Sequence, residues 1–236
     1  MSRPFVFINS AMSADGKISS IEHKQVRISG QEDLARVDAL RSDSDAIMVG
    51  VGTVLADDPG LRVKSDMLQK LRLERGVAEN PLRVVADSFA RTPPNAKVLG
   101  PGCLIAVSQS APSDRVMRLS TRCKLVRSGS SRVDLYNLMS ILYEMGVRRL
   151  MVEGGAALNW SLIQSGLVDE IYVYIGGLII GGAGSPTLVD GSGFIGDFPQ
   201  LNLIAVKPLD DGVLLKWSVM KTAYKPRRQP GDEKTN

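Results

Sequence analysis

The sequence predicts one α/β domain: a mixed, mostly parallel β-sheet with helices on both faces and an antiparallel hairpin at its C-terminal end. Three observations predict it. Short apolar runs alternate with stretches whose apolar residues recur at helical spacing. The alternation repeats as β-α-β over most of the chain, and such repeats build parallel strands covered on both faces. The last two apolar runs are joined instead by a short turn, Pro208-Leu209-Asp210-Asp211, which makes them a hairpin.

The elements follow in order. Pro4 to Met12 is the first strand. Ser29 and Glu32 form an S-x-x-E capping box that opens a helix with Leu34, Val37 and Leu40 on one side. Ala46–Val49, Leu82–Ala86 and Leu104–Val107 are short buried strands. Residues 64–80 read as a charged, helix-prone surface insertion. Pro112 to Leu119 is helical, and a strand follows near Leu125. Asp134 caps a helix through Leu135, Leu138, Met139 and Leu142, and Gly146 ends it. Arg148–Val152 is a strand, Ala156–Gln164 a helix stopped by Gly166, and Glu170–Ile175 a strand. In the closing hairpin, Val213, Leu215, Trp217 and Val219 alternate with Leu214, Lys216, Ser218 and Met220.

Of the 236 residues, 44% are apolar and 23% charged, which excludes disorder, collagen and a disulfide scaffold. No linker interrupts residues 1–220, so they form one domain, with 221–236 as a disordered basic tail. The longest mostly apolar run, Ile171 to Ala183, has 13 residues and four glycines. A membrane span needs about 20. The N-terminus shows no signal-peptide pattern, so the expected compartment is the cytoplasm. Net charge is +4, but 221–236 hold five basic and two acidic residues, which leaves +1 for 1–220 and no nucleic-acid footprint. One histidine, His23, and two cysteines 20 apart, Cys103 and Cys123, do not make a zinc site, so no metal is expected. No G-x-S-x-G elbow supports a serine triad. No obligatory acid, base or nucleophile stands out.

Chemistry concentrates at four strand ends. Val152-Glu153-Gly154-Gly155-Ala156-Ala157-Leu158 ends a strand, passes two glycines and opens a helix. Bare N–H groups and a helix dipole then meet at a strand's C-terminal edge, a natural pyrophosphate site. It is not G-x-G-x-x-G, and a plain tight turn is the alternative. Glu153 either favours the helix N-terminus or binds a substrate hydroxyl. In Gly50–Pro59, Thr53 either caps a helical turn or binds phosphate. There Asp57 or Asp58 either holds a ribose hydroxyl or shapes the turn. Ser13-Ala14-Asp15-Gly16-Lys17 is a third turn. After the strand ending at Ala86, Ser88 and Arg91 suit the 2′-phosphate of NADP, or are simply surface polarity. Open α/β sheets bind ligands at strand C-terminal ends, and four such turns suit a dinucleotide with a phosphorylated substrate.

These segments, S-A-D-G-K (13–17), L-R-S-D-S-D-A-I-M-V-G-V-G-T-V-L-A-D-D-P-G-L (40–61), V-A-D-S (85–88) and V-E-G-G-A-A-L-N-W (152–160), resemble the riboflavin-pathway reductases. The resemblance runs over about residues 4–220. It implies a dihydrofolate-reductase-like fold, a homodimer, and NADPH-dependent reduction of the ribose of a ribosylaminopyrimidinone phosphate to ribityl, with hydride delivered to C1′ of the ring-opened imine. The family's zinc deaminase signature is absent from these 236 residues. Within the family that resembles the stand-alone archaeal and fungal enzymes, whose substrate is 2,5-diamino-6-ribosylamino-4(3H)-pyrimidinone 5′-phosphate. By position, the resemblance implies cofactor contacts at Thr53, Asp57, Ser88 and the run Gly154, Gly155, Ala156, Ala157, Leu158. It implies substrate contacts at Glu153, Arg41, Arg27 and Lys64, with Asn9, Asp15 and Lys17 lining the site. Ala156-Ala157 departs from the family's usual Gly and Thr or Ser. Three competing readings are a reductase of the deaminated 5-amino pyrimidinedione, a pterin or folate reductase using Asp15 or Glu153 as its acid, and a non-enzymatic NADP-binding regulator.

Overall fold

The computed structural model describes residues 2–220. The segment 221–236, expected to be a disordered basic tail, lies outside the described residues. The elements are β1 (Phe5–Ser13), α1 (Gln31–Ser42), β2 (Ala46–Gly50), α2 (Val51–Asp57), α3 (Asp66–Glu74), β3 (Leu82–Ala86), β4 (Cys103–Val107), α4 (Ser113–Ser120), β5 (Lys124–Arg127), α5 (Leu135–Glu144), β6 (Arg149–Val152), α6 (Ala156–Gln164), β7 (Glu170–Gly176), β8 (Leu201–Leu209) and β9 (Gly212–Val219). They form one nine-stranded sheet in the order β5-β4-β3-β2-β6-β1-β7-β9-β8. Every pairing from β5 to β7 is parallel, and β9 pairs antiparallel with both β7 and β8.

Strand side chains alternate between two cores, as the pleat requires. Ile8, Met48, Val84, Leu104, Leu150 and Val152 pack under α5 and α6. Phe7, Ile47, Val49, Val85, Ile105 and Met151 pack under α1, α2 and α4, through Val37, Leu40, Val51, Val54, Val116 and Leu119. Helices therefore cover both faces, as the apolar runs of the parallel strands require. Among the described residues, no helix is long and apolar enough to cross a membrane.

Three local expectations are corrected. The first is the capping box. Gly30, not Ser29, is the N-cap of α1 and gives no side-chain bond. The Ser29 hydroxyl turns aside and donates to Asp33. The free N–H groups of Glu32 and Asp33 donate instead to the carboxylate of Asp210, at 3.0 and 2.9 Å, from the turn between β8 and β9. A Cβ at residue 30 would lie 2.3 Å from Asp210 Cγ, so glycine makes room for this tertiary cap. Asp210→Ala is expected to cost about 1 kcal/mol, the usual value of a lost N-cap. A denaturant midpoint reads the loss.

The second concerns residues 64–80, which are more than a surface insertion. Ser65 caps α3, and Arg72 is buried and donates to the carbonyls of Ser42 and Ser44, at the C-terminal end of α1. That end carries the negative pole of the helix dipole, which favours a cation. The third is the hairpin turn. It has only two residues, Asp210 and Asp211, and Pro208 lies within β8. An edge strand tolerates proline because one side of it has no ladder partner.

Candidate active site

The C-terminal ends of β2, β6 and β1 lie side by side, and there the sheet opens into a cavity of about 1010 Å³. Two glycine turns form its floor. The register Met48↔Val152 sets Gly50 beside Gly154, and Gly50 N–H donates to Gly154 O at 2.8 Å. α2 and α6 start from these turns, with Gly50 and Gly155 as N-caps that supply no side-chain bond. Thr53 accordingly lies inside α2 and does not cap it. Gly154 has φ +98°, which side-chain-bearing residues rarely adopt. A Cβ on Gly155 would stand 3.0 Å from Thr53 Oγ1, and one on Gly50 3.4 Å from Leu158 Cβ. The glycines let two helix N-termini approach each other and leave their N–H groups facing the hollow.

Glu153, at the end of β6, is held by a fork. Arg41 Nε and Nη2 donate to its two oxygens at 2.7 Å each, and Arg41 Nη1 donates to Arg62 O at 3.0 Å. The side chains are 15% and 13% exposed, which makes this a buried pair. Burial works against the Arg41 charge, but the Glu153 carboxylate outweighs it and holds the guanidinium above its ordinary pKa. Beside the pair is a second cavity of about 350 Å³ whose lining includes Arg41, Arg62 and Lys64. Gln25, Thr53, Asp57 and Glu153 line both hollows. Asp38 fixes the cationic wall by accepting from Lys64 N–H and Ser65 N–H at 2.7 and 2.8 Å. Burial pushes the Asp57 carboxyl up.

On β1, Ile8↔Val152 is the last pair, so Asn9 follows beside Glu153 on the next strand. Asn9 is 7% exposed, lines the larger cavity, and its Oδ1 has no hydrogen-bond partner. A buried amide oxygen without a partner is costly unless something fills the need, which points to a ligand.

The structure thus brings Asn9, Arg27, Thr53, Asp57, Glu153 and the run Gly154 to Leu158 around one cavity, with Arg41 and Lys64 in the adjoining one. It places four other candidates elsewhere. Asp15 accepts from Ser13 Oγ and from the N–H groups of Ile180 and Gly181. Lys17 Nζ donates to Ser185 O at 3.0 Å. Both fasten the segment after β7 to the end of β1, and neither lines either of these two hollows. Ser88 Oγ accepts from Val133 N–H at 3.0 Å, and Ser88 O accepts from Ser108. Ser88 and the exposed Arg91 also line neither cavity. Conversely, Asp33 and Arg62 line the hollows without being legible as site residues. Arg62 had one signal, a cation two positions before Lys64 on an extended segment.

The hydrogen bonds from Ser13, then Ile180 and Gly181, hold the Asp15 carboxyl down at about 2. A depressed carboxyl supports the fold above its unfolded pKa of about 4. This fastening is therefore complete above that value, weakens as pH falls, and is lost through about 2. Hydrogen exchange at Ile180 and Gly181 should accelerate over that window relative to the pH dependence of free amides. Asp15→Asn should show the faster exchange already at neutral pH.

The family model described as the RibD C-terminal domain matches residues 4–215. A protein of Archaeoglobus fulgidus named 2,5-diamino-6-ribosylamino-4(3H)-pyrimidinone 5′-phosphate reductase is 52% identical over 195 residues, 82% of this chain and 89% of that one. A protein of the same name from Methanothermobacter thermautotrophicus is 45% identical over 221 residues, 92% and 99% of the two chains. Among solved structures, a pyrimidine reductase-like protein from Corynebacterium diphtheriae superposes with a TM-score of 0.81 over 92% of each chain. At 19% identity that likeness shows the fold alone. With nearly all of its described length matched, the chain belongs to the RibD C-terminal domain family.

Proposed function

We propose that the chain is an NADPH-dependent reductase that converts the ribose of 2,5-diamino-6-ribosylamino-4(3H)-pyrimidinone 5′-phosphate to ribityl. The observation that carries it is the joined pair of hollows. One end offers two helix N-termini free of side-chain caps, and the other offers Arg41, Arg62 and Lys64. A pyrophosphate suits the first and a sugar phosphate the second. The names of the two archaeal relatives support the same reaction.

The residues fit a nicotinamide dinucleotide, because a Cβ at Gly155 or Gly50 would narrow the cradle that glycine leaves open. When bound, the cofactor supplies a hydride to C1′ of the ring-opened sugar. The α6 N–H groups hold its pyrophosphate, and Thr53 and Asp57 contact its sugar. Arg27 and the Asn9 carboxamide, whose Oδ1 has no partner, meet the pyrimidine. Arg41, Arg62 and Lys64 hold the 5′-phosphate, and Glu153 fixes the Arg41 fork. The imine nitrogen takes its proton from solvent water, so alignment needs no dedicated side-chain acid or base.

Ser88 and Arg91 line neither cavity, and we place the cofactor's 2′-phosphate outside both, beyond the end of β3, where Arg91 is exposed. Arg91→Ala is then expected to lower the NADPH over NADH preference in kcat/KM about tenfold, the effect of roughly 1.4 kcal/mol, with the NADH rate unchanged. The enzyme is cytoplasmic and works as a homodimer. The edge strand β8, which exposes Leu201, Leu203, Ile204 and Val206, supports a second copy there. The pterin reading loses its two acids, since Asp15 lies outside the cavity and Glu153 is paired with Arg41. Asp33, buried at the cavity wall, is engaged by Ser29 and Arg36. Steady-state kinetics with the diamino substrate and its deaminated counterpart test the reading. The expected result is a higher kcat/KM for the diamino compound, and preference for the deaminated one overturns it. Cofactor binding without turnover of either would make the protein a regulator.

A further inference from the structure

The opposite end of the sheet carries a feature the reaction does not use. Cys103 is the first residue of β4, and Cys123 immediately precedes β5. These strands are parallel neighbours with Leu104 opposite Lys124, so the same register sets Cys103 opposite Cys123. Both cysteines are free and both pack in the same apolar cluster, where the Cys123 thiol donates to Leu119 O at 3.3 Å. Neighbouring strands lie about 4.8 Å apart, within the Cα separation that a disulfide spans.

We propose that Cys103 and Cys123 are a redox-closed clip, a covalent modification site that ties the edge strand β5 to β4. The two thiols differ in reach and chemistry. Cys103 is 3% exposed, whereas Cys123 is half-buried. The neighbouring Cys103 thiol lowers the Cys123 thiol against the opposing effect of burial, while the nearby Cys123 and then burial push Cys103 up. Cys123 is therefore the thiol that reacts first. The oxidant is a small disulfide, R–S–S–R. The Cys123 thiolate attacks one sulfur, forms Cys123–S–S–R and releases RS⁻. Cys103 gives up its proton and attacks Cys123 Sγ, which forms Cys103–S–S–Cys123 and releases a second RS⁻. Two protein thiols are oxidised, one small disulfide is reduced to two thiols, and the two protons end on the released thiolates. The clip closes the segment that contains α4. It lies at the N-terminal ends of β4 and β5, whereas the cavities open at the C-terminal ends of the strands.

The test incubates the folded full chain with oxidised glutathione, traps remaining thiols and reads intact mass. The expected result is loss of both free thiols, a mass decrease of about two hydrogens, no retained glutathione, and slower hydrogen exchange along β5 than in the reduced protein. The circular dichroism spectrum stays that of the reduced protein. Cys103→Ser should instead keep one glutathione on Cys123. In the unsubstituted protein, an adduct that persists on Cys123, two unreacted thiols, or unchanged β5 exchange overturns the proposal. None of these readouts depends on the reductase reading.

Discussion

Arg41→Ala should be among the most damaging substitutions at the site. Removing one partner of a buried ion pair strands the other charge, and such losses run about 3–5 kcal/mol. Here the stranded group is Glu153, 13% exposed and without its two guanidinium bonds. Denaturant unfolding should show a loss of that size, and kcat/KM should fall at least tenfold because the phosphate pocket loses a cation with it. Arg41→Lys keeps the charge but not the fork, so it should recover part of the stability and less of the activity. Glu153→Gln should cost less than Arg41→Ala, since Arg41 keeps its bond to Arg62 O. A stability for Arg41→Ala within about 0.5 kcal/mol of the unsubstituted protein, the range of ordinary surface changes, would show that the pair does not anchor the site.

Gly154→Val should abolish tight cofactor binding. The cause is the backbone. At φ +98° a β-branched residue is strained, although a Cβ there meets nothing within 4 Å. Relief of the strain moves Gly154 O, which accepts from Gly50 N–H, and so disturbs both glycine turns together. Strain of this kind costs about 1–3 kcal/mol. NADPH fluorescence titration should show at least a tenfold weaker Kd in a protein that still folds. Gly16→Ala is the control. Gly16 also has positive φ, +83°, but lines neither cavity. It should lose stability and keep its cofactor affinity. Equal affinity of Gly154→Val and the unsubstituted protein would remove the glycine turn from the cofactor site.

The sequence reading succeeded where the cause is local. β3 and α6 begin and end where the apolar periodicity places them, and Asp134 caps α5 by accepting from Asn137 N–H. It failed where a distant group replaces a local one. Asp210 caps α1 from 177 residues away and displaces the capping box that Ser29 and Glu32 spell out. Arg72 reads as a surface charge, yet two carbonyls at the end of α1 hold it buried. The site divides in the same way. Its glycine turns are legible because their strands and helices are contiguous in sequence. The Arg41–Glu153 fork joins residues 112 apart, and no pattern in the sequence announces their contact. Asp15 and Lys17 sit in a turn that looks like a site loop, but their partners, Ile180, Gly181 and Ser185, turn them into fasteners.

The most direct test of the central claim follows the hydride. The protein is given the diamino ribosylaminopyrimidinone phosphate with NADPH deuterated at C4, once for each face of the ring, and the product is examined by NMR. Deuterium from one face is expected at C1′ of a ribityl product. Turnover in which neither label reaches C1′, or NADPH oxidation that leaves the ribose intact, would contradict it.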